Sequence, residues 1–178
     1  MHMEKLDYIF YRRSIRRFTD QKIDEQQIKI LLTAAMYAPS AVNRQPWHFV
    51  VVDEPDLMER IMEVHPHARM LNTASHAIVV CGDELLQHGE GYWVVDCGAA
   101  TQNLLLAAQT MGLGSCWLGL HPREERKIAF SRLLKLPSHV KPFALVALGY
   151  PDERKKRPDR FHPDKVKYNG RERPYFQV

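Results

Sequence analysis

The alternation of apolar and polar positions divides the chain into a helical opening, a middle in which strands and helices alternate, and an end with no period. Behind Asp24 the residues Ile28, Leu31, Leu32 and Ala35 recur at i, i+3, i+4 and i+7, the stripe of an amphipathic helix. Asp24 suits the N-cap, and Gln27 three residues on closes a capping box. Pro39 disfavours helical geometry at Ala38 and sets the far limit. A shorter helix is predicted from Met3 to Tyr11, followed by an irregular, very basic stretch from Arg12 to Gln21.

His48 to Asp53 and Ala77 to Gly82 are β-branched, apolar runs that predict buried strands. Ser115 to Leu120 and Pro142 to Leu148 predict two more, separated by a charged helix that starts near Pro122. Pro55 stands well as the first residue of a helix through Val64. Tyr92 to Met111 reads as a long helix ended by Gly112. It is apolar around much of its circumference, which calls for burial on several sides, in the core or against a partner. Residues 151–178 show neither period, yet they keep Phe161, Tyr168, Tyr175 and Phe176. Aromatic residues are unusual in disorder, so the expectation is an ordered arm wrapped on a second subunit.

Composition adds bounds. A chain of 178 residues fits one domain, 1–178, with a core of its own. The formal net charge of +4 describes a modestly basic surface, with nucleic-acid binding as the alternative. Against that alternative, the aromatic residues interleave poorly with the basic ones and no nucleic-acid motif is present. Cys81, Cys97 and Cys116 are far apart and form no CxxC pair, as expected of reduced, buried thiols in a cytosolic protein. The opening MHMEKLDYIF lacks the apolar core of a signal peptide, and no run nears the roughly 20 apolar residues of a membrane span. A cytoplasmic protein without a membrane partner is the expectation.

Several signatures are missing: GxGxxG, a GKS or GKT phosphate loop, HExxH and GxSxG. His65 and His67 flank Pro66 and read as a surface loop, because no third metal ligand stands near them. The first positive signal is Arg12-Arg13-Ser14-Ile15-Arg16-Arg17-Phe18, whose forked guanidinium donors and hydroxyl match phosphate oxygens. Residue types alone leave a phosphate site and a solvated basic loop equally open. The second is the stiff junction from Pro39 to Phe49, which either holds the edge of a flat polar ring or is a structural turn with Trp47 in the core. The third is Gly112 to Gly119, where Gly114 and Gly119 allow backbone to approach something closely. Cys116 has nothing basic beside it in sequence, so a packed thiol is favoured over a nucleophile.

Taken in order, RRSxR, PSxxNxQPW, Met70-Leu71 with Ala74-Ser75-His76, GLGSCWLG and the closing GYP resemble the nitroreductase family over nearly the whole chain. The resemblance implies an α+β fold: a central mixed β-sheet flanked by helices, with the C-terminal arm (151–178) exchanged in a homodimer. It implies FMN as cofactor, NADH or NADPH as hydride donor, and a small-molecule oxidant reduced by a ping-pong mechanism. Arg12, Arg13 and Ser14 would hold the phosphate and ribityl end, with Arg160 closing over the phosphate and Arg16 nearer the ring. Pro39, Ser40, Ala41 and Asn43 would reach the flavin from the other subunit. Cys116, Trp117, Leu118 and Gly119 would line the ring, partly through backbone groups, and Arg69 would place a cation at its pyrimidine end. No acid or base is implied as catalytic. Larger members commonly carry a Glu in the segment of Leu118, and residues 82–91 leave little material for a substrate-covering insertion. A flavin-binding storage or sensing module is the alternative within the same resemblance.

Overall fold

The computed structural model describes residues 6–170; the expected helix start at Met3 and the aromatic pair Tyr175 and Phe176 lie outside them. The elements are α1 (Asp7–Tyr11), α2 (Glu25–Met36), β1 (Trp47–Val52), α3 (Pro55–Val64), β2 (His76–Asp83), α4 (Tyr92–Thr110), β3 (Gly114–Gly119), α5 (Glu124–Leu133) and β4 (Val140–Gly149). Their limits follow local chemistry. The Gln27 N–H donates to the Asp24 carboxylate at 2.7 Å and the Asp24 N–H to Gln27 Oε1 at 3.1 Å, so both halves of the capping box form. Pro55 opens α3. Gly112, at φ +73°, takes the left-handed conformation that stops α4.

The strands form one sheet in the order β1-β2-β4-β3, antiparallel at each junction. This corrects the expected mixed sheet: among the described strands, parallel pairing is confined to the isolated bridge between Ser14 and Ser115. The reason lies in the connections. After β1, helix α3 and the stretch that follows it bring the chain back to the end where the strand finished, with Val52 facing Ala77. A neighbour that starts where its predecessor stopped must run the other way.

Strand alternation splits the core into two layers. Ala77, Val79, Cys81, Leu145 and Ala147 pack on one face with Ile61 of α3 and Phe130 of α5. Ile78, Val80, Ala144, Val146 and Leu148 pack on the other with Leu31 of α2 and Leu104 of α4. Each large aliphatic side chain so buried contributes about 1.5–3 kcal/mol. The sandwich of α4 between α2 and the sheet accounts for its apolar circumference.

One end of the sheet is shaped by the register pair Gly114 and Gly149. A Cβ on Gly114 would stand 2.8 Å from Ile15 Cγ2, and one on Gly149 2.8 Å from the Phe18 ring. The two glycines leave a notch that Ile15 and Phe18 fill. The Ile15 N–H donates to the Ser115 carbonyl at 2.9 Å, and Phe18 bridges Pro151. The basic segment is thereby pinned between β3 and the chain leaving β4.

Candidate functional site

With Ile15 and Phe18 turned inward, the arginines of the segment point away from the core, and the chain after β4 runs alongside them. The Asp152 N–H donates to the Arg17 carbonyl at 2.9 Å and the Arg16 N–H to Glu153 Oε1 at 2.6 Å. Lys155 Nζ donates to the Ser14 carbonyl at 2.6 Å and Arg13 Nε to the Lys156 carbonyl at 3.0 Å. The arm expected to wrap a partner thus begins by docking on its own chain.

This pairing encloses a cavity of about 710 Å³ whose lining includes Arg12, Arg13, Arg157, Arg160, Gln102 and Phe10, with Asp159 as its carboxylate. Arg157 is steadied by Phe10, its guanidinium carbon 4.5 Å from the ring centroid. Burial first, and the neighbouring charge of Arg160 second, hold the pKa values of Arg12 and Arg13 below the ordinary guanidinium value. Arg13 Nη2 is buried with no partner among the described residues. Leaving such a donor unmet is costly, and an anion with several oxygens answers it. Ser14 does not line this cavity; its carbonyl serves Lys155 instead.

A second cavity, of about 750 Å³, is lined by Arg16, Arg17, His67, Arg69, Met70 and Asn72 among others. It brings Arg16 and Arg69 together although 53 positions separate them in the chain.

Strand β3 lies at the sheet edge, and its residues divide by parity. Cys116 and Leu118 bury their side chains in the layer with Ile15 and Phe18, whereas Trp117 packs on Phe143 at 5.7 Å between centroids. Burial chiefly pushes the Cys116 thiol up, which suits a packed side chain and not a nucleophile. The Leu120 N–H donates to Phe143 across the sheet, so residues of even number pair with β4 and those of odd number turn their backbone groups outward. The Ser115 and Gly119 carbonyls confirm the parity by accepting from Ile15 N–H and, at 2.9 Å, from Arg126 Nη1. The N–H groups of Trp117 and Gly119 therefore face the open edge.

The junction after α2 stands apart: none of Pro39, Ser40, Ala41 and Asn43 lines either cavity. Its backbone is strained, with Val42, Asn43 and Gln45 at φ near +50°. For a β-branched residue such as Val42 that region is a true outlier. Hydrogen bonds hold it there: Gln45 N–H to Ser40 Oγ at 2.9 Å, and Ala41 N–H to the buried Asp96 Oδ1 at 3.0 Å. Val42 is 69% exposed at the tip, while Trp47 behind it is buried.

The model of the nitroreductase family matches residues 9–68 and 63–150. This chain belongs to the nitroreductase family. A relative from Archaeoglobus fulgidus is 47% identical over 167 residues, covering 92% of this chain and 96% of its own. A solved structure from Parabacteroides distasonis is 36% identical with a TM-score of 0.89, covering 94% of this chain and 98% of that one. Both are provisionally named NADH dehydrogenase/NAD(P)H nitroreductase. An FMN-dependent nitroreductase from Clostridium difficile is 28% identical with a TM-score of 0.85, covering 92% and 98%.

Within this nitroreductase-family chain several site residues escaped the sequence. His65, read as part of a surface loop, is 1% exposed: its ring accepts the His67 N–H at Nδ1 (3.3 Å) and approaches the Gly119 carbonyl at 3.4 Å through Nε2. Those two partners place the proton on Nε2. Asp96 and Arg126 likewise act through backbone groups of the junction and of β3, contacts that no spacing signals. Gly119 itself is not sterically required, since a Cβ there would meet only the His121 carbonyl at 3.6 Å.

Proposed function

We propose that this protein is an FMN-dependent oxidoreductase that takes hydride from NADH or NADPH and passes it, in a ping-pong cycle, to a small oxidant such as a nitroaromatic, quinone or enone. The observation that carries the reading is the convergence of Arg12, Arg13, Arg157 and Arg160 on one cavity, with Arg13 Nη2 left without a partner among the described residues. Family membership supplies the cofactor class, through relatives such as the FMN-dependent enzyme of Clostridium difficile.

The residues fit that cofactor. Arg12, Arg13 and Arg160 would hold its phosphate, and Arg16 and Arg69 would stand at the pyrimidine end of its ring. When bound, FMN supplies a ring that accepts hydride from the donor and returns it to the oxidant. Fixed cations at Arg16 and Arg69 favour the electron-rich form and so raise its potential. The outward N–H groups of Trp117 and Gly119 offer donors already set by the sheet, needing no reorganisation. The chain's part is to bind, orient and polarise; no side chain is assigned as acid or base. Pro39, Ser40, Ala41 and Asn43 would complete the site from a second copy, which makes the working form a homodimer. The three buried, free cysteines support a cytoplasmic setting.

The test is direct. Purified protein incubated with FMN should be yellow, and anaerobic NADH or NADPH should bleach it. A colourless protein refutes the flavin site, whereas a yellow one that neither donor bleaches is a storage or sensing module. Arg13→Ala should weaken FMN about 10- to 100-fold, since a charged hydrogen bond contributes roughly 1.5–3 kcal/mol. Riboflavin, which has no phosphate, should bind the variant as it binds the parent.

A further inference from the structure

Two cations, Arg16 and Arg69, suffice for the pyrimidine end of a flavin, which carries at most one negative charge. The cavity that holds them carries more. Arg17 and His67 line it too, and no carboxylate appears in that lining. Glu153 lies 4.0 Å from Arg17 Nε, but it already accepts from the Arg16 N–H at 2.6 Å and faces Lys155 Nζ at 3.2 Å. Nor is the surplus a loosely waving surface charge. The Arg17 carbonyl accepts from Asp152, and the next residue, Phe18, is seated in the glycine notch. The backbone under Arg17 is fixed while its side chain is 73% exposed. His67 is anchored in the same way through its N–H to His65.

From this imbalance we infer that Arg17 and His67 form an anion subsite that takes a phosphate of the nicotinamide dinucleotide. The inference rests on the flavin reading above. In it, Arg16 and Arg69 face the cofactor while Arg17 and His67 face the reactant that enters afterwards. Guanidinium is suited to this work because its fork meets two phosphate oxygens at once. Two phosphates share that chemistry: the diphosphate common to NADH and NADPH, and the 2′-monoester that only NADPH carries.

The experiment uses FMN-loaded protein, so that the cavity of Arg12, Arg13 and Arg160 is already filled, and titrates ADP and 2′,5′-ADP by calorimetry. At least one probe should bind the parent protein, and Arg17→Ala should weaken it about tenfold or more, the loss expected for one charge-assisted hydrogen bond. The FMN affinity of that variant, read separately by flavin fluorescence, should stay unchanged. Weakening of ADP assigns the diphosphate; weakening of 2′,5′-ADP alone assigns the monoester and predicts a preference for NADPH that Arg17→Ala erases. If neither probe binds, or both bind Arg17→Ala as they bind the parent, the subsite is refuted. Failure to load FMN at all would instead refute the flavin reading.

Discussion

The Arg12–Arg17 segment and the Ser40–Gln45 turn are both candidate ligand contacts, yet they are built in opposite ways. The first is assembled wholly within one chain: two core side chains in a notch, a strand bridge, and four hydrogen bonds to residues 152–156. The second is strained, lines neither of the two arginine-bearing cavities, and exposes Val42 at its tip. A self-contained half-site binds whatever fits it. A half-site held in a costly conformation facing outward is a candidate docking surface. The proposed homodimer would account for that contrast.

Substitutions can break each half separately, and the largest effect belongs to the notch. Gly149→Val would drive methyl groups into the Phe18 ring, where even a Cβ reaches 2.8 Å. Overpacking of this kind costs about 1–3 kcal/mol, and release of Phe18 should free the arginines with it. Thermal unfolding and FMN titration should both show the loss; unchanged FMN affinity would separate the notch from the site. Asp96→Ala comes next. It removes the acceptor for the Ala41 N–H and should cost about 1–2 kcal/mol, with Asp96→Asn restoring most of it through its own amide oxygen. Under the proposed homodimer, gel filtration should show weakened self-association in the alanine variant.

The smallest effect is a pH dependence behind the basic segment. Ser75 Oγ accepts the Ile23 N–H at 2.8 Å and lies 2.9 Å from His76 Nδ1, a contact in which the hydroxyl can donate only while Nδ1 carries no proton. Burial first, then Lys22, lower the His76 pKa, while Asp53 opposes them. The unfolded chain therefore binds the proton more readily than the folded one. This contribution is present above the ordinary histidine value, about 6.5, and is lost as pH falls from there toward the lowered folded value. Denaturant midpoints should fall as pH drops below about 6.5, and His76→Gln should flatten that part of the profile.

The fold was largely legible because helices and strands bury one face and so write their period into the chain. The α2 stripe with its capping box, Pro55, and Gly112 after α4 all stand where pattern put them. Arg12 and Arg13 were legible by type and Arg160 through the family resemblance, and the structure gathers all three around one cavity. What stayed hidden depends on contacts between residues far apart in the chain. Glu153, Asp96 and His65 act on backbone groups more than 50 positions away, and an N–H or carbonyl leaves no trace in sequence. The left-handed turn at Val42 was hidden for another reason, since nothing in valine advertises it.

The outer edge of β3 carries a last consequence. An unpaired strand edge invites a foreign strand to add to the sheet. Here Ser115 is taken by Ile15 and the Gly119 carbonyl by Arg126, which leaves Trp117 as the one outward residue between two occupied neighbours. The Ser115 and Gly119 contacts thus break the row of backbone groups that a foreign strand would need to pair with.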